Sequence, residues 1–219
     1  MKRQAKMASN RDICGVILAG GKSRRMGGGD KCLVTLGGKS LIKRIIQNVG
    51  HQVTHLIINT NSDPKLFSDF KLPVVPDVIE GRLGPLAGVL TALEWASVNT
   101  PECDWIASFA SDAPFIPTDL VCRLRLAIEE EDGDMACAVS SGRHHPVFAL
   151  WPRRLANDLR AAIMHGGLRK VDDWTSHFRQ VRVEFDTETV DPFFNINRPQ
   201  DLLFAKALLE DGLGRGMSN

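Results

Sequence analysis

The sequence predicts a three-layer α/β/α fold built on a mostly parallel central sheet, and three observations carry that prediction. Apolar runs of strand length alternate with longer stretches of helical periodicity along most of the 219 residues, the pattern of a sheet covered by helices on both faces. The runs Ile13–Leu18 and His55–Asn59 are continuously apolar rather than alternating, as strands buried on both faces are. Glycines and polar residues collect where these runs stop, around residues 18–31, 59, 77 and 112. In open parallel sheets, ligands lie outside the carboxyl ends of the strands.

Each element follows from local signals. Ser40 is placed to cap a helix over residues 41–49, and Gly50 to stop it. Residues 71–75 form a short strand closed by Pro76 and Asp77. Leu86, Val89, Leu90, Leu93 and Ala96 share one helical face, predicting a helix over residues 84–98. Residues 104–111 form a central strand, followed by a helix over 118–130. Strands at 135–139 and 146–150 flank a turn at 140–145, which carries Arg143, His144 and His145. Helices are expected around 155–164 and 168–178, an alternating edge strand at 181–185 and a last helix at 201–210.

Composition bounds the function. A 43% hydrophobic and 24% charged chain is an ordinary globular one, and a net charge of +1 argues against nucleic acid or a membrane surface as partner. No apolar run reaches the roughly 20 residues of a membrane helix. The five cysteines are scattered without a C-x-x-C pair, as unpaired thiols in a reducing compartment are, so the chain is expected in the cytoplasm. His51, His55, His165 and His177 show no metal-ligand spacing. Residues 1–11 read as a flexible basic extension, 12–212 as one domain and 213–219 as a flexible tail.

The loop after the first strand, "LAGGKSRRMGGGDK" over residues 18–31, holds five glycines and the cations Lys22, Arg24, Arg25 and Lys31. Its Gly-Gly-Lys-Ser is not a P-loop: that pattern needs glycine at position 16, where Val16 stands. The dinucleotide pattern G-x-G-x-x-G fails as well, because Gly20 and Gly21 are adjacent and Gly27 lies too far on. Glycines still let backbone N–H groups approach an anion, and the cations neutralise what lies there.

This loop resembles the signature L-A-[AG]-G-x-[SG]-x-R-M-x(n)-K of nucleotidyltransferases that activate small molecules with a nucleoside triphosphate. The doubled glycine and Arg-Arg-Met-Gly-Gly are most similar to the molybdenum cofactor guanylyltransferase family. The similarity recurs at Ile58-Asn59, Asp77, Gly84 to Gly88, Ser111-Asp112-Ala113-Pro114, His145-Pro146 and Phe194 to Pro199.

The resemblance implies a Rossmann-like nucleotidyltransferase fold that transfers GMP from GTP to the terminal phosphate of molybdopterin, releasing pyrophosphate. It implies GTP and molybdopterin as substrates, Mg²⁺ as cofactor, a monomer, and other molybdenum cofactor biosynthesis proteins and apo-molybdoenzyme chaperones as partners. By the same resemblance Leu18, Ala19, Gly20, Gly21, Asn59, Asp77 and Gly84 contact the nucleotide. Arg25 and Lys31 stabilise the phosphates, and Asp112 binds both nucleotide and Mg²⁺. Lys22, Arg24 and Arg82 are either further contacts or solvated charges. Asn59 also reads as a turn former, and Asp77 and Asp112 as caps.

The pterin side is assigned to His145, Arg169, Lys170, Asn195 and Asn197. Asn197 stands in Asn195-Ile196-Asn197, where sugar nucleotidyltransferases commonly supply a second metal-binding aspartate; it reads equally as a ligand or as a cap of the last helix. The other readings open to the sequence are a CTP-dependent molybdopterin cytidylyltransferase, a sugar-phosphate nucleotidyltransferase and a non-catalytic nucleotide-binding chaperone for the pterin.

Overall fold

The computed structural model describes residues 12–20, 28–81, 84–168 and 170–212. The expected extension at 1–11 and tail at 213–219 lie outside the described residues. In chain order come β1 (Ile13–Leu18), the hairpin β2 (Thr35–Leu36) and β3 (Lys39–Ser40), α1 (Leu41–Val49), β4 (His55–Asn59), β5 (Val74–Val75) and α2 (Pro85–Asn99). Then follow β6 (Trp105–Ala110), α3 (Leu120–Glu131), β7 (Met135–Ser140), β8 (Arg143–Pro152), α4 (Ala156–Met164), α5 (Val171–Thr175), β9 (Gln180–Phe185) and α6 (Pro199–Glu210).

The main sheet has the order β5-β4-β1-β6-β8-β7-β9. β5, β4, β1 and β6 pair in parallel, β8 runs antiparallel to β6 and β7, and β9 is again parallel to β7. The chain leaves β1 toward β4 and later returns to the other side of β1 as β6. The strand order therefore reverses between β1 and β6, and a crevice opens at their carboxyl ends.

The two-residue period of β1 divides the core. Ile13 and Ile17 face one layer with Ile42, Ile45 and Phe109, while Cys14 and Val16 face the other with Leu86, Leu90 and Leu93. Helix α1 buries Leu41, Ile42, Ile45 and Val49 along one stripe, and the Ser40 hydroxyl accepts the Lys43 N–H at 3.4 Å, capping it as expected. Helix α2 is apolar nearly all round, which fits its place over the sheet centre. A third cluster joins Leu36, Leu41, Phe115, Ile196, Ala205 and Leu208, seating α6 beside the hairpin.

Three sequence expectations change. The turn expected at 140–145 shrinks to Ser141 and Gly142, whose φ values of 46° and 72° suit a tight hairpin. Arg143, His144 and His145 consequently lie in β8, and His145 is buried. The helix expected over 168–178 is only Val171–Thr175. Gly167, at φ 63°, turns the chain after α4, and β9 begins at Gln180, leaving little room between. Helix α3 starts at Leu120 rather than at 118, because residues 118 and 119 form a turn that the Leu120 N–H closes on Pro117 O at 3.4 Å. The hairpin β2–β3 and the 3₁₀ turns at Pro64–Phe70 and Lys31–Leu33 gave no periodic signal in the sequence.

Gly88 fixes how closely α2 approaches the strand ends. A Cβ there would fall against the Asn59 side-chain oxygen and 2.6 Å from Leu18 Cδ2. Asn59 cannot swing aside freely, since its amide donates to Val75 O at 3.2 Å and Asp77 Oδ1 at 2.9 Å. Gly88→Ala is therefore expected to lose about 1–3 kcal/mol of stability, seen in thermal melts as a midpoint roughly 3–10 °C lower. An unchanged midpoint would show that α2 does not sit so tightly.

Candidate active site

The end of β1 is joined to the end of β4 by Ala19 N–H donating to Asn59 O at 2.8 Å. Ala19 is buried, while Gly20 is exposed and a Cβ on it would meet nothing within 4 Å. Internal packing therefore does not require glycine here. Gly28 and Gly29 have φ of 94° and 76°, which a residue with a Cβ resists. Lys22, Arg24, Arg25, Gly21, Arg82 and Arg169 lie outside the described residues.

Behind the loop, Asp30 accepts a hydrogen bond from Ser62 Oγ at 2.6 Å, and Lys31 opens a 3₁₀ turn, Lys31–Leu33. The Lys31 ammonium crosses the crevice to Asp112 Oδ2 at 2.5 Å and Asn197 Oδ1 at 2.6 Å. Asp112 follows β6 at the switch point, and its backbone carbonyl accepts the Ile196 N–H at 2.9 Å. Asp201 in the first turn of α6 accepts the Asn197 and Arg198 N–H groups at 2.7 and 2.8 Å. Asp201 thus forms a capping box with Arg198, and the Asn197 side-chain oxygen faces Lys31. Two oxygens from separate segments so converge on one positive charge. Such oxygen donors suit a hard divalent cation such as Mg²⁺.

A second polar network lies at the end of β4. Asp77 accepts from Asn59 Nδ2 at 2.9 Å through one oxygen and from Asn61 Nδ2 at 2.8 Å through the other. Its own N–H donates to Asn61 Oδ1 at 2.8 Å. Gly84, φ 71°, leads into α2 from a conformation that favours glycine. Its neighbour Gly88 closes on Leu18 and Asn59, so the first turn of α2, Asn59, Asp77 and the end of β1 form one wall.

Beyond Asn197 lies a cavity of about 370 Å³ lined by Arg143, Asp191, Phe194, Asn195, Asn197, Arg198 and Asp201. The Asn195 side-chain oxygen is buried and finds no hydrogen-bond partner among the described residues. His145 is not a wall of this cavity. It is packed at 4.7 Å against the Phe193 ring, and Ser140 Oγ links it at 2.7 Å to Asp191 at 3.0 Å. It supports the cavity by holding Asp191, whose carboxylate also accepts the Phe193 N–H at 2.9 Å. Lys170 is an exposed residue preceding α5 and does not line the cavity.

The structure thus brings together Leu18, Ala19, Asn59, Asp77 and Gly84 on one side of the crevice and Lys31, Asp112 and Asn197 across it. Sequence reasoning missed Asn61 and Ser62, loop polars just after β4, Asp191 in the loop after β9, and Asp201 in the first turn of α6. It also gave His55 no ligand spacing, yet His55, Glu102 and Cys103 offer ligand atoms within 4.8 Å of one another. They come from the start of β4 and the turn before β6, so no local spacing reveals them, and they lie at the sheet end opposite the crevice. Burial raises the Cys103 thiol pKa and so disfavours the thiolate a metal would need.

An open sheet with a glycine-rich loop, a carboxylate at its switch point and an asparagine facing it belongs to the nucleotidyltransferase class. Residues 15–181 match the family described as the MobA-like NTP transferase domain. A molybdenum cofactor guanylyltransferase from Mesorhizobium japonicum is 48% identical over 203 residues, covering 91% of this chain and 97% of that one. One from Rhodopseudomonas palustris is 45% identical over 202 residues, covering 92% and 96%. The crystal structure of molybdopterin-guanine dinucleotide biosynthesis protein A from Archaeoglobus fulgidus shares the fold, with a TM-score of 0.71 at 24% identity, covering 91% of this chain and 99% of that one. The chain belongs to the MobA-like NTP transferase family.

Burial, more than the nearby Arg143, lowers the His145 pKa below its ordinary 6.5, against an opposing effect of Asp191. The unfolded chain then binds the extra proton first, so this group's contribution to stability is complete above about pH 6.5 and is lost as pH falls through the lowered value. Urea midpoints should fall between pH 7.5 and 5.5 less steeply in His145→Gln than in wild type. Equal slopes would remove His145 from the account.

Proposed function

We propose that the chain transfers the GMP part of GTP to the terminal phosphate of molybdopterin, with release of pyrophosphate and formation of molybdopterin guanine dinucleotide. The observation that carries this reading is the convergence of Lys31, Asp112 and Asn197 at the switch point. The names of the relatives supply the base and the acceptor. In this reading the triphosphate lies along residues 18–31, with the base and ribose against Asn59, Asp77 and the start of α2. The pterin enters from the side of Asn195 and Asn197, where Arg143 adds positive charge and the Asn195 oxygen awaits a donor.

The attacking group is a phosphate, already ionised at neutral pH, so the chain needs no general base. Its residues align the acceptor phosphate with the α-phosphorus and offset the charge that grows on the leaving pyrophosphate. Lys31 contributes directly to the second task, and Arg25, from the same loop, is assigned to it as well. Asp112 and Asn197 would hold Mg²⁺, which supplies Lewis-acid polarisation of phosphate oxygens when bound. The five free cysteines support work in a reducing compartment, as the cytoplasm is. Among the described residues no helix is long and apolar enough to cross a membrane.

Thermal shift with Mg²⁺ and GTP or CTP reads the base directly: GTP should raise the melting midpoint more. A clear preference for CTP overturns guanylyl transfer. Asp112→Asn should fold as wild type and release pyrophosphate from GTP and molybdopterin about 10²–10³-fold more slowly, whereas an undiminished rate removes Asp112 from the reaction.

A further inference from the structure

The two oxygens that would ligate Mg²⁺ are the two that hold the Lys31 ammonium in the free protein. Lys31 is only 9% exposed, so its charge has little water to turn to. Its backbone is fixed as well. Val34 N–H donates to Lys31 O at 3.2 Å, Cys32 beside it is buried, and Ser62 pins Asp30 on the other side. Only the far end of the side chain can move. Resting on the function proposed above, we infer that Lys31 plugs the divalent-cation site of the ligand-free protein, so that the site admits a metal–triphosphate complex and excludes the free metal ion.

The reason is the pairing of charges before and after exchange. A bare divalent ion that reaches Asp112 must evict an ammonium that stays nearby, largely buried, unpaired and of like sign. A metal–triphosphate complex brings its own anion. Asp112 then passes from ammonium to metal, the ammonium passes to phosphate oxygen, and no charge is left without a partner. Metal and triphosphate must therefore favour each other's binding at this site by more than their affinity in water provides, and linkage makes that coupling reciprocal. The excess disappears when the ammonium is removed.

The test is titration of the full chain with Mn²⁺ alone, read from the electron paramagnetic resonance of the free ion. Lys31→Met should bind Mn²⁺ at least tenfold more tightly than wild type, and Lys31→Gln, which keeps a polar end, should do the same. The gain should persist in about 0.5 M KCl, where repulsion between separated charges is screened, and should vanish when Asp112→Asn is added. Lysine variants that bind Mn²⁺ no more tightly than wild type overturn the plug, as does a gain lost on adding salt. The wild type gives a readout independent of any variant. Mg²⁺ alone should leave the isotope-labelled Nζ resonance of Lys31 in place, and Mg²⁺ with a non-hydrolysable GTP analogue should shift it; a shift on Mg²⁺ alone overturns the plug. Pyrophosphate release by wild type separates the two proposals. Turnover without a Mn²⁺ gain sinks the plug and leaves guanylyl transfer standing, whereas a gain without turnover does the reverse.

Discussion

Three segments with little else in common meet at the ammonium of Lys31. The first loop brings the charge, the end of β6 brings Asp112, and the segment before α6 brings Asn197. The Ile196 N–H bond to the Asp112 carbonyl runs beside this joint and keeps the two oxygens at a fixed separation. Remove the positive charge, and a carboxylate and an amide oxygen stay side by side, held by that backbone bond, with no cation between them. The crevice itself comes from topology, because only where the strand order reverses do two adjacent strand ends diverge.

The layers behind the site make that joint rigid. The alternating residues of β1 commit its two faces to different helices, so the strand cannot slip by one residue without turning Ile13 and Ile17 into the wrong layer. The irregular pairing of β7 with β8 between Cys137 and Ala138 is accommodated by Ser108, whose hydroxyl donates to Val147 O at 2.5 Å and accepts from Trp151 Nε1 at 2.8 Å. This irregularity lets one strand carry His145 into the aromatic cluster and Arg143 to the cavity edge.

Much of this was legible in the sequence. The unbroken apolar runs at residues 13–18 and 55–59 and the helical face from Leu86 to Ala96 placed the central strands and α2. Asp112 could be named because it stands at the end of a buried strand, and Lys31 because its loop resembles a nucleotidyltransferase signature. What stayed hidden is what depends on distance in sequence or on backbone torsion. The two-residue turn at Ser141 and Gly142 rests on positive φ at both positions, and a serine does not announce that. The role of Asp201 rests on two N–H groups aimed at one carboxylate, and the role of Gly88 on a neighbour 29 positions earlier, Asn59. The resemblance placed Asn197 on the pterin side and left its cap and ligand readings equal. The carboxylate of Asp201 accepts the Asn197 and Arg198 N–H groups, and the Asn197 side-chain oxygen accepts from Lys31.

The pairing of Lys31 with Asn197 spans 166 positions, and that with Asp112 spans 81. Contacts so remote in sequence close only after most of the intervening chain has been ordered, since the entropy of so large a loop must first be overcome. Closure of this three-segment joint is thus a report of completed folding. An immature or partly collapsed molecule, however much secondary structure it holds, lacks one of its poles.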